Sequence, residues 1–283
     1  MGNNPLSFKM THNNQFVEGS VVVITGASSG MGRELTLRYA DRQCRIVIGA
    51  RRLEELEKLK KECFDRFGNK QIVCVKADVS KEEDAKLLVD TAVSNFGPRI
   101  DLLLLCAGIS AHSNFEDFKD MEPFRKVIET NLYGCAYPTR HALKYMKSNS
   151  KLESKGHIAV LSSYSGEFGL QGRSCYSASK FAVNGFFESL RMELGDKIDI
   201  TVVCPITVQT GFREYSLIKP ENKAEDSPGT TSMTAVEAVN CILEAIDYRV
   251  DKYIFPFKQY LAVPLRHLFP KTIEGMVKNR SKL

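Results

Sequence analysis

Three side chains within "SSYSGEFGLQGRSCYSASK" (162–180) could share one reaction: Ser163, Tyr176 and Lys180. A phenol with the ordinary pKa of about 10 exchanges its proton poorly near neutral pH, and a neighbouring ammonium favours the ionised form. Tyr176 and Lys180 stand four residues apart, which on a helix puts both on one face about a turn apart. Ser163 ends the apolar run "HIAVLSS" (157–163), at the edge where open α/β sheets bind ligands. A hydroxyl donor, a phenol and an ammonium around one atom suit proton delivery to a carbonyl oxygen. An exposed Tyr and Lys on an ordinary helix is the plainer alternative, and the other reactant decides between them.

That reactant has a candidate site near the N-terminus. "TGASSGMG" (25–32) places glycines at 26, 30 and 32, interleaved with Ser28, Ser29 and Met31, between an apolar run and a helical pattern. Gly26, Gly30 and Gly32 would make a tight turn that lets a pyrophosphate approach the backbone at a helix N-terminus. A plain strand-to-helix turn is the alternative, and the flanking strand and helix favour the nucleotide. A triphosphate loop is disfavoured, because no Gly-Lys-Ser/Thr follows. About 20 residues on, a site for NAD(H) carries a carboxylate on the ribose 2′-hydroxyl. Here the chain reads "IGARRLEEL", with Ala50 at that place and Arg51 and Arg52 after it. Two guanidiniums without an acid suit a 2′-phosphate, and cations at a helix start otherwise oppose its dipole. The expected cofactor is NADP(H).

The elements that position these groups read as alternating strands and helices. Near-continuous apolar runs at 20–25, 45–49, 71–77, 101–106, 157–163 and 199–204 predict strands covered on both faces. Helical patterns at 31–42, 53–67, 81–96, 121–148, 175–195 and 234–247 separate them. Parallel strands need such crossovers, so the fold class is α/β: a single-domain, Rossmann-type doubly wound parallel sheet with helices on both faces. We divide the chain into a polar tail (1–17), the nucleotide-binding catalytic domain (18–250) and a basic amphipathic extension (251–283).

The remaining composition narrows the function. A net charge of +5 without a basic block argues against nucleic acid. Eight cysteines without a C-x-x-C pair suggest a reducing, cytoplasmic setting, and the scattered histidines predict no metal. No apolar run reaches the ~18 residues of a membrane span. "MGNNPLS" misses an N-myristoylation signal by one position and reads as a tail.

With these motifs in hand, the chain resembles the short-chain dehydrogenase/reductase family from about residue 18 to 250. The resemblance rests on the glycine turn, "ADVS" (77–80), "CAG" (106–108), "TNLYG" (130–134) and the Ser163, Tyr176, Lys180 set, all in the family's order. It implies that Asp78 faces the adenine with Val79 packed nearby, and that Ala107 and Gly108 pass along the ribose. It also implies that Pro205 and Thr210 flank the nicotinamide, with Thr210 bonding its carboxamide. Tyr176 would protonate the alkoxide formed when a carbonyl accepts a hydride, while Ser163 orients that carbonyl. Lys180 would tune Tyr176 and hold the ribose hydroxyls; Asn131, also near the cofactor, would hold a water that relays protons from Lys180. The chain departs from the family pattern where Leu105 and Cys106 replace asparagines, Ile206 replaces glycine and Gln171 replaces a common proline.

Within the family, the tail resembles the 11-beta-hydroxysteroid dehydrogenases and the dehydrogenase/reductase family member 7 group. "GLQGRSCYSASKFA" and "YPTR" are similar to 3-ketosphinganine reductases. Phe168, Leu170, Phe212, Tyr215, Leu217 and Ile218 predict a pocket for a lipophilic carbonyl or alcohol such as a steroid, retinoid or acyl chain, with core packing as the alternative. A specific 3-ketosphinganine reductase and a non-catalytic nucleotide-binding scaffold or sensor are the competing functions. The stripe in "KFAVNGFFESLRMEL" predicts a homodimer. The basic amphipathic tail predicts packing on the domain or a partner, with peripheral contact to an endoplasmic-reticulum or lipid-droplet membrane as the alternative.

Overall fold

The computed structural model describes residues 16–146, 155–212, 215–218 and 232–281. The near-match at 1–7, the end of the helix predicted over 121–148 and most of the insertion after the sixth strand lie outside them.

Seven parallel strands form the main sheet: β1 (Val21–Thr25), β2 (Arg45–Ala50), β3 (Ile72–Lys76), β4 (Leu102–Leu105), β5 (Gly156–Leu161), β6 (Ile198–Pro205) and, after a short parallel pair of β7 (Val208–Gln209) with β8 (Met233–Thr234), β9 (Lys252–Phe255). Their spatial order is β3-β2-β1-β4-β5-β6-β9. The helices are α1 (Gly30–Asp41), α2 (Leu53–Phe67), α3 (Glu82–Phe96), α4 (Glu122–Ile128), α5 (Gly134–Met146), α6 (Ser174–Leu194), α7 (Ala235–Asp247), α8 (Phe257–Leu268) and α9 (Pro270–Ser281).

Alternation along each strand explains the layers. Val22 and Ile24 of β1 pack into a core with Leu35 of α1, Leu56 of α2 and Ile242 of α7. Val21 and Val23 point the other way, into a core with Leu88 of α3, Ala142 of α5 and Phe187 of α6. A strand covered on both faces has no polar side, so its sequence reads as an unbroken apolar run.

Besides the short β7–β8 pair, the structure differs from the sequence expectation in the extent of the sheet and in one helix. The sheet continues past residue 250: β9 pairs in parallel with β6, from Val202↔Lys252 to Pro205↔Phe255. The helix predicted over 121–148 is interrupted between α4 and α5 by a π-helical turn, Glu129–Tyr133. This wider turn carries Asn131, whose side chain is fully buried and bonded to the chain leaving β4.

A buried imidazole on β5 yields a pH prediction. His157 of β5 is fully buried, its Nε2 sharing a 2.8 Å hydrogen bond with Thr201 Oγ1 of β6. Burial, aided by the Arg249 charge, holds its pKa down at about 3. The unfolded chain therefore binds a proton that the folded chain refuses, from about pH 6.5 down to about 3. Stability present above pH 6.5 should fall by up to about 1.4 kcal/mol per pH unit through that window. Urea midpoints measured between pH 7.5 and 4.5 should show a shallower decline for His157→Asn than for the wild type.

Candidate active site

The strand order reverses between β1 and β4, and the crevice beyond their C-terminal ends is where such sheets bind nucleotides. Here the two turns pack backbone against backbone. A Cβ on Gly26 would lie 2.7 Å from Ala107 N and Cα, and one on Gly32 would lie 2.5 Å from Gly26 O. Thr25 Oγ1 accepts from the Cys106 and Ala107 N–H groups at 3.1 and 3.3 Å. A threonine hydroxyl from β1 thus braces the turn after β4. Thr25 was inside the quoted turn, but nothing in its spacing marked this role.

A cleft of about 360 Å³ follows, lined by Gly26, Ser28, Ser29, Gly30, Met31, Gly32, Arg51, Arg52, Asp78, Val79, Ala107 and Gly108 at the end below β1 to β4. Ser163, Tyr176, Lys180, Pro205 and Thr210 line it as well. Asn131 does not: its Oδ1 accepts from Ile109 N–H at 2.8 Å, and Nδ2 donates to Ile109 O at 3.0 Å and Ser179 Oγ at 2.9 Å. Its amide clamps the wall behind the cleft. Thr210 lies against the glycine turn, with its Cβ 3.2 Å from where a Gly30 Cβ would be.

Tyr176 and Lys180 share one face of α6, as their spacing predicts. The Lys180 ammonium lies 5.8 Å from the Tyr176 ring centroid and donates to Leu161 O at 2.8 Å. That carbonyl ends β5, so the strand edge holds the ammonium in place. Lys180 is only 3% exposed and Tyr176 6%, so both work in a desolvated setting where electrostatic effects are strong. Ser163, in extended backbone just past β5, accepts the Ser165 N–H at 3.1 Å and lines the same cleft. Ser162, Ser177 and Ser179 are structural: Ser162 donates to Asn184 Oδ1 at 2.5 Å, Ser177 accepts from Leu170 N–H at 3.3 Å, and Ser179 donates to Tyr176 O at 2.7 Å. Burial raises the thiols of Cys106 and Cys175 above the ordinary range, so neither is a ready nucleophile.

At the other end, Arg51 and Arg52 follow Ala50, the last residue of β2. Arg52 Nη2 donates to Ser28 Oγ at 3.0 Å and Ser29 Oγ at 3.1 Å, and Nη1 to Tyr215 Oη at 3.2 Å. All three acceptors are neutral oxygens. No carboxylate is among these acceptors, and the donors over the glycine turn fit a phosphate of a nicotinamide dinucleotide.

The six apolar residues expected around the substrate divide. Leu170, Phe212 and Tyr215 line the cleft, with the Phe212 ring 6.0 Å from that of Tyr176. Phe168 is in the core instead, 2% exposed and packed 4.8 Å from the Tyr164 ring; the Arg266 guanidinium of α8 covers its other side at 5.3 Å. Leu217 is exposed, and Ile218 packs beside Ile109 and Val127. Apolarity alone could not separate pocket from core. Arg173, which sequence reasoning passed over, also lines the cleft, its guanidinium 5.8 Å from the Tyr176 ring.

The chain is similar to known proteins in sequence and in fold. The chain is 42% identical over 201 residues to an 11-beta-hydroxysteroid dehydrogenase A of Sesamum indicum, covering 71% of this chain and 54% of that one. It therefore spans little more than half the length of that relative. It is 34% identical over 261 residues to a dehydrogenase/reductase SDR family protein 7-like of Dictyostelium discoideum, covering 91% and 80%. In fold it is similar to a short chain dehydrogenase/reductase of Burkholderia phymatum solved in complex with NAD, with a TM-score of 0.79, 24% identity and 93% and 96% of the two chains covered. An alcohol dehydrogenase of Thermococcus sibiricus complexed with 5-hydroxy-NADP aligns with a TM-score of 0.71, at 24% identity, covering 83% and 95%. Residues 20–220, which carry the glycine turn, the serine and the tyrosine–lysine pair, match the short chain dehydrogenase family model, and to that family of nicotinamide-dependent oxidoreductases the chain belongs.

Proposed function

We propose that the protein is an NADP(H)-dependent oxidoreductase that reduces a carbonyl, or oxidises the matching secondary alcohol, on a lipophilic small molecule. One observation carries the reading: the phenol of Tyr176, the ammonium of Lys180 and the hydroxyl of Ser163 converge on one cleft that also runs along the glycine turn. A nicotinamide dinucleotide held there would supply the hydride. The chain's own residues supply the rest. Ser163 donates a hydrogen bond to the carbonyl oxygen, and Tyr176 Oη transfers its proton to that oxygen as negative charge develops. Carbonyl plus hydride plus proton gives the alcohol. Lys180, anchored on Leu161 O, keeps a positive charge beside the ring that loses its proton.

The choice of NADP(H) is supported by Ala50 at the end of β2 and by Arg52 over Ser28 and Ser29. Arg51→Ala combined with Arg52→Ala should raise the Kd of NADPH by roughly tenfold or more, two charge-assisted contacts at ~1.5 kcal/mol or more apiece setting the scale. NADH should change by less than about threefold on the same charge argument, and equal losses would count against it.

The lipophilic substrate is supported by Leu170, Ile206 and Phe212 at the tyrosine end of the cleft. Oxidation of NADPH by the purified chain should be followed against a steroid ketone, a retinal and a long-chain 3-ketosphingoid base. Turnover of none of them by a chain that binds NADPH would favour a non-catalytic sensor. We further propose a cytoplasmic homodimer through α6 and the π turn before α5, where Phe181, Phe186, Met192 and Tyr133 are exposed. The exposed Tyr260, Leu265, Leu268 and Phe269 would serve a partner or a membrane surface. Among the described residues no helix is long and apolar enough to cross a membrane.

A further inference from the structure

The contact between Arg52 and Tyr215 joins two parts of the cleft with different duties. Tyr215 belongs to the segment after β6, expected at the substrate end, yet its ring lies at the nucleotide end. The Arg52 guanidinium carbon is 4.9 Å from the ring centroid, and Tyr215 Oη accepts from Nη1 at 3.2 Å. Residues 215–218 are themselves fixed to the chain leaving β4. Leu217 N–H donates to Ser110 O at 2.8 Å, Ser216 Oγ donates to the same carbonyl at 2.9 Å, and His112 N–H donates to Ile218 O at 2.9 Å. Ser216 is 6% exposed, whereas Tyr215 is 58% exposed.

An exposed ring on an exposed guanidinium adds only ~0.5–1 kcal/mol to a fold, so stability is a weak reason for this contact. Orientation is a stronger one. Arginine has about 2 kcal/mol of rotamer entropy, and a guanidinium stacked on a ring and hydrogen-bonded at one edge has lost much of it before any ligand arrives. The edge left facing the glycine turn is the one that donates to Ser28 and Ser29.

We propose that Tyr215 is a positioning residue for cofactor choice: it sets the plane of Arg52 so that Nη2 faces a phosphate bound over Ser28 and Ser29. Discrimination for the phosphorylated dinucleotide then depends on a residue from the segment after β6, anchored to the wall behind β4. The inference rests on the NADP(H) reading and deepens it.

The test is equilibrium binding to the 283-residue chain of NADPH and NADH, with 2′,5′-ADP and 5′-AMP as minimal probes. Tyr215→Ala should raise the Kd of NADPH and 2′,5′-ADP by roughly five- to tenfold, about the 1–1.4 kcal/mol expected from a preorganising ring and one hydrogen bond. NADH and 5′-AMP should move by less than about twofold, since they lack the phosphate. Tyr215→Phe, which keeps the ring, should recover more than half of the lost free energy. In an Arg52→Ala background, Tyr215→Ala should add nothing. Equal weakening of all four ligands, no weakening of any, or additivity with Arg52→Ala would overturn the proposal. Arg52→Ala alone separates the two failures. If it weakens NADPH and NADH alike, the cofactor reading falls; if it is selective while Tyr215→Ala is not, the role of Tyr215 alone falls.

Discussion

Tyr176→Phe should lower kcat by roughly 10²–10⁴-fold, the usual share of a positioned general acid, while leaving the Kd of NADPH within about threefold of the wild type. The ring would stay where it is. It packs 6.0 Å from Phe212 and 5.8 Å from both Arg173 and Lys180, and the substitution removes a single oxygen. On the proposed mechanism, what disappears is the proton that would reach the carbonyl oxygen as the hydride arrives, a loss of about 3–5 kcal/mol at the transition state with little ground-state binding attached. Single-turnover reduction under saturating NADPH reads the chemical step directly. A variant that retains more than about a third of the wild-type rate would mean that another group supplies the proton, and the roles assigned to Lys180 and Ser163 would go with it.

The same geometry sets the rank of the neighbouring residues. In the proposed mechanism Ser163 would offer one hydrogen bond to the developing charge, so the effect of its removal should fall below that of Tyr176. Lys180 has a second duty, because its Nζ donates to Leu161 O inside a desolvated wall. Removing it leaves a buried carbonyl without that donor, and part of the measured effect will be structural.

Much of this frame was legible before any coordinates, for reasons that differ by element. β1 was readable because all five of its residues are buried, so the run carries no polar interruption. Tyr176 and Lys180 were readable because their relation is local, four residues on one helix. β9 was not: it is a four-residue edge strand directly before Pro256, in a stretch whose aromatic and basic residues also suit an amphipathic tail. The π turn at Glu129–Tyr133 leaves no mark in a hydrophobic pattern, because a single wide turn shifts the period by only one residue. Asn131 was therefore recognisable by its motif while its actual partners, the Ile109 backbone and Ser179, were hidden. The Arg52–Tyr215 contact spans 163 positions of chain, and no local rule reaches that far. Phe168 and Phe212 are equally apolar; only the fold decides that one fills the core and the other faces Tyr176.

Gly26→Ala should damage both folding and cofactor binding, and a second glycine shows why. Gly26 and Gly68 have nearly the same φ, +67° and +69°, so an added methyl incurs a left-handed strain of roughly 1–2 kcal/mol at either. Their surroundings differ. A Cβ at Gly68 meets nothing within 4 Å, whereas one at Gly26 would stand 2.7 Å from the Ala107 backbone and 2.9 Å from the Cys106 carbonyl carbon. Those atoms belong to the turn after β4 that Thr25 braces, so they can give way only by moving the floor of the nucleotide crevice. Overpacking of this kind adds about 1–3 kcal/mol. Urea unfolding should therefore place Gly26→Ala below Gly68→Ala by at least about 1 kcal/mol. NADPH and NADH should both bind at least tenfold more weakly to Gly26→Ala, because the shared pyrophosphate cradle is what shifts. Gly68→Ala, at the far end of α2, should bind both as the wild type does. Equal stability and equal binding in the two variants would mean that the turns after β1 and β4 do not press on each other, and the crevice would need another origin.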